Sequence, residues 1–340
     1  MQLRAPYLIY FGDVQDTGHA KTGLGLIQWR PEACAGQLRS DGCQVDGGLV
    51  DLSISEAARA GVGSIVIGVA SEGGGIPDAW VGDLAAAARA GLDVVSGMHV
   101  RLGDFPGIAA AARASGARLI DVRTPPQRLP VGTGVKRPGK RLLTVGTDCA
   151  VGKKYTALAI EREMRNRGLD ADFRATGQTG IMIAGSGIPL DCVISDFLSG
   201  AAEMLSPAAA ETHWDVIEGQ GALSHPSFAG VTLGLLHGSQ PDALVLCHDP
   251  SREFLLGTGA GVDYPVLSVT DAMAQCLPFA RRVNPDACFV GLSVNTSMFA
   301  EAERQALLDR YEQETGLPAV DPIKDGAGLI VDKVSSVTGV

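Results

Sequence analysis

Short apolar runs alternate with alanine-rich segments along the first third of the chain. Four runs have the length and composition of buried strands: 7–13, 64–70, 93–98 and 118–123. Between them, residues 78–91 and 105–116 show helical periodicity, and a glycine closes each at its carboxyl end. This alternation predicts βαβ units, and therefore a parallel sheet with helices packed against it.

The length of the chain and one irregular stretch predict two domains. A chain of 340 residues is longer than one hydrophobic core usually holds together. Residues 124–140 are crowded with proline, glycine and basic residues and show no periodicity, which is typical of a linker. We therefore expect an N-terminal domain at 1–135 and a C-terminal domain at 136–340.

Strand-like runs resume after the linker, which predicts a second doubly wound parallel sheet. The runs are 141–148, 170–177, 214–221, 242–249, 264–270 and 288–295. Helical stretches separate most of them, including 152–167 and the long segment 299–316. The predicted fold class is thus α/β in both domains.

Charge and cysteine content restrict the partners and the compartment. A formal net charge of −10 argues against nucleic acid, because no long basic run offsets it. Seven scattered cysteines without CxxC spacing indicate neither disulfides nor a zinc cluster, which favours a reducing cytoplasm. The N-terminal apolar run is too short for a signal peptide, and no run approaches the roughly 20 residues that span a bilayer. We expect a cytoplasmic protein with small-molecule partners, no membrane and no nucleic acid.

The first strand of the second domain runs into a segment typical of a phosphate-binding loop. The expected cofactor-binding residues are Gly146, Thr147, Asp148, Cys149, Ala150, Val151, Gly152, Lys153, Lys154 and Tyr155. Between a strand and a helix, the backbone N–H groups of such a loop surround a phosphate, and its lysine supplies charge. The alternative is a glycine-containing turn with a surface lysine.

This loop departs from the usual phosphate loop at the position that holds magnesium. Its Gly-x5-Gly-Lys spacing resembles dethiobiotin synthetase and its relatives. Where serine or threonine normally follows the lysine, this chain has Lys154, and Thr156 belongs to a different face of the helix. Because a protonated lysine cannot bind Mg²⁺, we expect a phosphorylated cofactor without a metal.

Two candidate catalytic residues follow another predicted strand. Glu218 lies at its end before a glycine-rich turn, and Ser224 and His225 come a few residues later. Open α/β sheets bind ligands at this edge, so Glu218 and His225 are candidate bases and Ser224 a candidate substrate ligand. A carboxylate that caps a turn and a histidine without a chemical role are the alternatives.

Further candidates come from the 170–177 run, the phosphate loop and the first domain. Four residues suit a substrate carboxylate, since they combine a planar cation with hydroxyls and an amide: Arg174, Thr176, Gln178 and Thr179. An arginine on a solvated loop is the alternative. Cys149 lies near a helix N-terminus that can lower a thiol pKa, although packing alone also explains it. Polar loops at 12–22 and 71–75 suit either a ligand cleft or ordinary turns, and neither is a dinucleotide fingerprint.

Five motifs in order make the chain similar to a known family. They are GTDCAVGKK, RATGQTG, IEGQGALSHP, GVTLGLLHG and PDALVLCHD. Together they resemble the D-glutamate N-acetyltransferases, long treated as a domain of unknown function, and the resemblance covers most of the chain. It implies a Rossmann-like N-terminal domain, a P-loop NTPase-like C-terminal domain, and acetyl transfer from acetyl-CoA to D-glutamate in D-amino-acid breakdown.

Residue chemistry assigns roles within that expected reaction. The loop would bind the CoA phosphates, His225 or Glu218 would be the base, and Arg174 with Gln178 would hold the two carboxylates. Backbone N–H groups of 219–221 would face the oxyanion. The rival functions are an ATP-dependent ligase or kinase of the dethiobiotin synthetase type, and a non-catalytic nucleotide or CoA sensor. A symmetric homo-oligomer is the expected assembly.

Overall fold

Two compact units make up the fold. The computed structural model describes residues 3–70, 74–259 and 261–338. Unit 1 contains Met1–Pro125 and Gln178–Pro189, and unit 2 contains Pro126–Gly177 and Leu190–Val340. Residues 71–73, part of one polar loop noted above, lie outside the described residues.

Unit 1 is a five-stranded parallel sheet with helices. Its strands are β1 (Tyr7–Gly12), β2 (Cys34–Arg39), β3 (Ser64–Ile67), β4 (Asp93–Ser96) and β5 (Leu119–Asp121). Its helices are α1 (Lys21–Trp29), α2 (Ile54–Arg59), α3 (Asp78–Arg89), α4 (Pro106–Ser115) and α6 (Gln178–Ala184). The strand order β2-β1-β3-β4-β5 is a doubly wound order, as a Rossmann-like domain requires.

Unit 2 is a six-stranded parallel sheet. Its strands are β6 (Lys140–Gly146), β7 (Ala171–Arg174), β8 (Trp214–Ile217), β9 (Ala243–His248), β10 (Cys288–Val294) and β11 (Ala319–Val320). Its helices are α5 (Lys153–Asn166), α7 (Leu198–Leu205), α8 (Ala229–Ser239), α9 (Val269–Val283), α10 (Glu301–Thr315) and α11 (Gly328–Thr338). The order β11-β10-β9-β6-β8-β7 places β6 between β8 and β9, so the candidate loop follows a central strand.

The predicted fold class is confirmed, and one predicted strand is wrong. Residues 264–270 form no strand; only Pro265 makes an isolated bridge, to Phe254. Proline has no N–H to donate to a ladder, and the Ser268 hydroxyl accepts from the Asp271 N–H, which caps the start of α9 at Val269. Among the described residues, no helix has the length and apolarity that a bilayer crossing needs.

A buried arginine attaches the end of the linker to the sheet of unit 2. Arg141, near the start of β6, is fully buried. Its guanidinium donates to the carbonyl oxygens of Arg137 at 2.9 Å, Pro138 at 2.9 Å, Gly139 at 3.1 Å and Pro207 at 3.0 Å. Its Nε also donates to the Ser206 carbonyl at 3.4 Å, so one side chain satisfies five backbone acceptors of irregular chain segments.

We expect Arg141→Leu to lower the free energy of unfolding by about 3 kcal/mol, because the substitution strands buried carbonyl groups. Urea denaturation of the purified protein measures this loss. Lys140→Gln, at the neighbouring half-buried position, is the matched control and should change stability by less than about 0.5 kcal/mol. Equal stability of the two variants contradicts the assignment.

Candidate active site

The loop between β6 and α5 encloses the side chain of its own lysine. Lys153 is the first residue of α5 and is only 6% exposed, and its Nζ donates to the Asp148 carbonyl at 2.7 Å. A Cβ at Gly146 would lie 2.9 Å from that Nζ and 3.0 Å from the Asp148 carbonyl oxygen, so a larger residue has little room there. Burial lowers the pKa of Lys153. The loop therefore encloses the poorly solvated ammonium group of Lys153 at the position where a phosphate-binding loop would hold its phosphate.

The backbone of this loop twice enters the left-handed region. Gly152, just before α5, has φ of 104°, which glycine adopts without a steric cost. Ala150 has φ of 52°, an uncommon conformation for alanine. Backbone held in such conformations clusters at ligand-binding sites, because the surrounding contacts must enforce it.

A buried carboxylate enforces the shape of the loop. Asp148 is fully buried, and its Oδ1 accepts from the Cys149 N–H at 2.6 Å. Its Oδ2 accepts from the Leu256 N–H and from Arg252 Nη1, both at 2.9 Å. Arg252 also donates to the carbonyls of Cys149 at 2.6 Å and Ala150 at 3.1 Å. We call Asp148 and Arg252 the loop clamp.

Thr147 is held by a second contact, to a neutral histidine. Its Oγ1 lies 2.9 Å from His248 Nδ1, and His248 Nε2 lies 3.0 Å from the Tyr311 hydroxyl. Burial lowers the pKa of His248 to about 4. The ring is therefore uncharged near neutral pH, and it adds no charge to the loop.

Glu218 follows β8 and is held by the backbone after β7. The side chain is 5% exposed, and its Oε2 accepts from the N–H groups of Thr176 at 2.9 Å and Gly177 at 3.0 Å. Burial raises the pKa of this carboxyl, and the charge of Lys154 partly opposes the rise. A carboxylate with a raised pKa is suited to accept a proton.

Lys154 and Tyr155 lie close to this carboxylate, whereas the Thr156 hydroxyl is bonded to another residue. Lys154 Nζ is 4.2 Å from the centroid of the Tyr155 ring. Burial raises the pKa of Tyr155, and the Glu218 charge adds to that rise. The Thr156 hydroxyl is buried against Ser293 Oγ at 2.7 Å. The first turn of α5 thus presents a cation and a phenol near Glu218, with no hydroxyl at the usual magnesium position.

His225 is near the loop, and both of its ring nitrogens are engaged. The side chain is fully buried; Nδ1 accepts from the Ser227 N–H at 3.1 Å, and Nε2 donates to the Leu256 carbonyl at 3.0 Å. These two bonds describe a neutral ring that supports the segment at Leu256. Accepting a proton would require Nδ1 to release the Ser227 N–H. Ser224, its neighbour in sequence, is half-buried.

Asp148, Cys149 and His225 offer possible metal ligands within 4.8 Å of one another. Both carboxylate oxygens of Asp148 and both nitrogens of His225 already have hydrogen-bond partners. Burial raises the pKa of the Cys149 thiol, opposite to the lowering expected from the helix N-terminus. These contacts describe a packed polar cluster, and the expectation of no metal stays a prediction.

The expected substrate residues of unit 2 have structural partners. Arg174 donates from Nε to Asp215 Oδ1 at 2.5 Å, and its Nη2 lies 3.3 Å from Asp172 Oδ2. The Thr176 hydroxyl donates to the Glu218 carbonyl at 2.8 Å. Arg174 is therefore engaged by two carboxylates, and Thr176 supports the backbone that holds Glu218. Their roles toward substrate stay predictions.

Gln178 and Thr179 belong to unit 1, so the expected set is divided between the units. With the amide oriented to satisfy its neighbours, Gln178 donates to the Gly97 carbonyl and accepts from Arg123 Nη2 at 3.2 Å. The Thr179 hydroxyl lies 3.1 Å from that of Thr22. Sequence patterns missed Arg123 and Arg252. Their one recognisable feature is a basic residue shortly after the carboxyl end of a strand.

Family models match both parts of the chain. A P-loop domain described as a domain of unknown function, DUF1611_C, matches residues 130–331, and the Rossmann-like DUF1611_N domain matches residues 34–125. The chain belongs to the DUF1611 family. A crystal structure of a DUF1611 family protein from Anabaena variabilis shares 31% identity and a TM-score of 0.86, with 98% of this chain and 100% of that chain covered.

Two curated relatives match over nearly the whole length. A D-glutamate N-acetyltransferase from Tritonibacter scottomollicae is 48% identical over 335 residues, covering 98% of this chain and 100% of the relative. Another, from a Pseudoalteromonas species, is 47% identical over 331 residues, covering 97% and 99%. The resemblance found in the sequence is confirmed. The protein is therefore an enzyme, an N-acetyltransferase.

The lowered pKa of His248 predicts a loss of stability in mild acid. Below the ordinary pKa of 6.5, His248 is protonated in the unfolded chain. In the folded protein the buried ring takes up a proton only at about pH 4. The free energy of unfolding should therefore fall across this window, by up to about 3 kcal/mol from this residue. Urea denaturation at several pH values measures the slope.

His248→Gln should reduce that slope, whereas His99→Gln, at an exposed position, should leave it unchanged. If the His248 variant retains the full slope, the histidine is not held neutral by its burial.

Proposed function

We propose that the protein transfers the acetyl group of acetyl-CoA to the amino group of D-glutamate, and that the loop at 146–155 binds the CoA phosphates. The names of the two curated relatives support the acceptor and the reaction. The observation that carries the cofactor assignment is the buried ammonium of Lys153, enclosed by the loop and followed by Lys154 in place of a magnesium-binding hydroxyl.

The charges at the loop fit a cofactor that brings no metal. CoA carries a diphosphate and a 3′-phosphate, and two adjacent lysines can neutralise part of that charge directly. The hydroxyl of Thr156 is already engaged, because it is hydrogen-bonded to Ser293 Oγ at 2.7 Å. A loop of this kind can bind phosphate through N–H groups and ammonium groups alone.

Apolar groups beside the loop suit the uncharged parts of CoA. Leu256 is 54% exposed and Phe228 is 43% exposed. Leu256 is attached to the loop because its N–H donates to Asp148, and the Phe228 ring lies 4.6 Å from that of His225. Exposed apolar side chains next to a phosphate site supply contact area for an adenine ring or a pantetheine arm.

Glu218 is the base that the geometry favours. The substrate ammonium must lose a proton before its nitrogen attacks the thioester carbonyl. Glu218 is buried with a raised pKa, and one oxygen is positioned by two N–H groups. The ammonium gives its first proton to solvent, and the amine nitrogen then forms the C–N bond while its second proton passes to Glu218. The C–S bond breaks as the tetrahedral oxyanion collapses, and Glu218 gives its proton to the leaving thiolate. His225, the other expected base, would first have to give up a hydrogen bond.

Two of the three N–H groups expected to stabilise the oxyanion remain candidates. The Gly219 N–H donates to Thr144 Oγ1 at 2.9 Å, so it is already used inside the sheet. A Cβ at Gly219 would overlap the Thr144 carbonyl, which explains why glycine follows Glu218. The N–H groups of Gln220 and Gly221 would donate to the developing negative charge on the acetyl oxygen.

Removing the loop lysine should weaken the cofactor selectively. In a thiol-release assay with D-glutamate, Lys153→Ala should raise the KM for acetyl-CoA by about 10- to 100-fold, because a charged hydrogen-bond donor to phosphate is lost. Arg165→Ala, which removes a cation from the exposed face of the same helix, is the matched control. An unchanged KM for acetyl-CoA in Lys153→Ala contradicts the loop assignment.

Thermal unfolding separates the rival functions. We expect acetyl-CoA to raise the melting temperature without Mg²⁺, since ligand binding to the folded state stabilises it. Stabilisation by Mg-ATP alone would indicate a ligase or kinase of the dethiobiotin synthetase type. Stabilisation by acetyl-CoA without thiol release across a panel of D- and L-amino acids would indicate a sensor.

Glu218→Gln should lower kcat by about 10²- to 10⁴-fold, because the amide cannot accept the proton. In the unsubstituted enzyme, kcat/KM should fall as the pH drops through the Glu218 pKa, at a pH above the ordinary value of 4.5. The variant should lose this acidic limb. Loss of the limb in His225→Gln, with activity intact in Glu218→Gln, would assign the base to His225 instead.

A further inference from the structure

One oxygen of the Glu218 carboxylate has no hydrogen bond to the part of the chain that the structure describes. The two N–H groups that hold the side chain both donate to Oε2, which leaves Oε1 as an acceptor. Glu218 is only 5% exposed, yet Oε1 is not among the fully enclosed polar atoms that lack a partner. A ligand can therefore reach it. A buried carboxylate with one accessible acceptor atom indicates a donor that arrives with a ligand.

Gly177 lies beside this oxygen and leaves room next to it. A Cβ at Gly177 would stand 3.2 Å from Glu218 Oε1 and 3.6 Å from Gln220 Nε2, its two nearest neighbours. The backbone of Gly177 is not in the left-handed region, so its conformation alone does not require glycine. The missing side chain instead keeps open a small space that Glu218 and Gln220 border.

The Gln220 side chain is oriented by the residue that also holds Glu218. Its Nε2 donates to the Thr176 carbonyl at 2.5 Å and lies 3.2 Å from Thr176 Oγ1. Thr176 in turn donates from its N–H to Glu218 Oε2 at 2.9 Å and from its hydroxyl to the Glu218 carbonyl at 2.8 Å. Because the amide nitrogen is used in this way, Gln220 has its amide oxygen, Oε1, to offer as an acceptor.

Two acceptor oxygens on one turn match the two N–H groups of a neutral primary amine. Before it attacks, the amine nitrogen carries two hydrogens, one carbon and a lone pair. With one hydrogen donated to Glu218 Oε1 and the other to Gln220 Oε1, the lone pair is left for the thioester carbonyl. The charge of Lys154 acts on Glu218 and disfavours a second cation beside it, which favours the neutral amine.

We propose that Glu218 Oε1, Gln220 Oε1 and the space over Gly177 form the subsite for the acceptor amine, and that this subsite selects primary amines. The reaction itself rests on the proposed function. As the C–N bond forms, the proton on the Glu218 side passes to Oε1, and the hydrogen on the Gln220 side remains as the amide N–H of the product. A secondary amine lacks that second hydrogen and brings a substituent into the space over Gly177.

N-methyl-D-glutamate tests the selection of primary amines. In a thiol-release assay with the unsubstituted enzyme, kcat/KM should be about 100-fold lower for N-methyl-D-glutamate than for D-glutamate. One hydrogen bond is lost, and the methyl group crowds the subsite. Equal kcat/KM values for the two acceptors overturn the selection.

Gly177→Ala tests the space itself, because alanine keeps the N–H that holds Glu218 and adds only a methyl group. The KM for D-glutamate should rise by about 10- to 100-fold, and the KM for acetyl-CoA should stay unchanged. Gly230→Ala is the matched control, since the same group at this exposed position of α8 meets no atom within 4 Å. An unchanged KM for D-glutamate in Gly177→Ala overturns the subsite.

Gln220→Met tests the second acceptor oxygen. The preference for D-glutamate over N-methyl-D-glutamate should shrink by about 10-fold, because the hydrogen bond that the methylated acceptor lacks is already gone. Gln313→Met, at an exposed position of α10, is the matched control and should keep the full preference. A purely structural role of Gln220 would slow both acceptors equally, and an unchanged preference in Gln220→Met overturns its role as an amine ligand.

Calorimetry separates a failure of the subsite from a failure of the proposed reaction. D-glutamate is titrated into protein saturated with CoA, which permits no acetyl transfer. Gly177→Ala should bind D-glutamate about 10-fold more weakly than Gly230→Ala. Equal affinities overturn the subsite even where D-glutamate supports thiol release. Weaker binding by Gly177→Ala, without thiol release by the unsubstituted protein, retains the subsite and refutes the reaction. No binding of D-glutamate to the unsubstituted protein overturns both.

Discussion

A buried carboxylate inside the loop between β6 and α5 is the central constraint of this structure. Asp148 would repel a phosphate if it stood alone, yet it accepts from two backbone N–H groups and from Arg252. Arg252 also bonds two carbonyls of the loop, so the loop clamp fixes the backbone from outside. A buried carboxylate with these partners becomes a template for the loop, because losing any partner would leave it unpaired.

The same clamp connects the candidate site residues of unit 2. Leu256 receives one hydrogen bond from His225 and gives another to Asp148, so one apolar residue links the imidazole to the loop. The loop in turn leads into the first turn of α5, where Lys154 lies near Glu218. A carboxylate with a raised pKa and a cation-rich loop are thus attached to one rigid sheet, which is the support that catalytic geometry needs.

Local patterns predicted much of the fold and part of the site. The loop, its lysine and Glu218 follow buried strands, and a strand followed by glycine has a strong local pattern. The prediction of a strand at 264–270 was wrong because composition alone cannot show that Ser268 caps a helix. Arg252 and Arg123 were missed because their roles depend on partners distant in the chain. For His225, sequence could place the ring beside a turn, but could not show that both nitrogens are bonded.

The path of the chain has a consequence for how such a protein can be divided. Gln178–Pro189 lies within the C-terminal part of the sequence but belongs to unit 1, where it forms α6. One cut in the linker would therefore not yield two complete halves, since the N-terminal fragment would lack a helix of its own core. Gene fusion or exchange at this linker would carry part of one unit away with the other, so the two units are constrained to be inherited together.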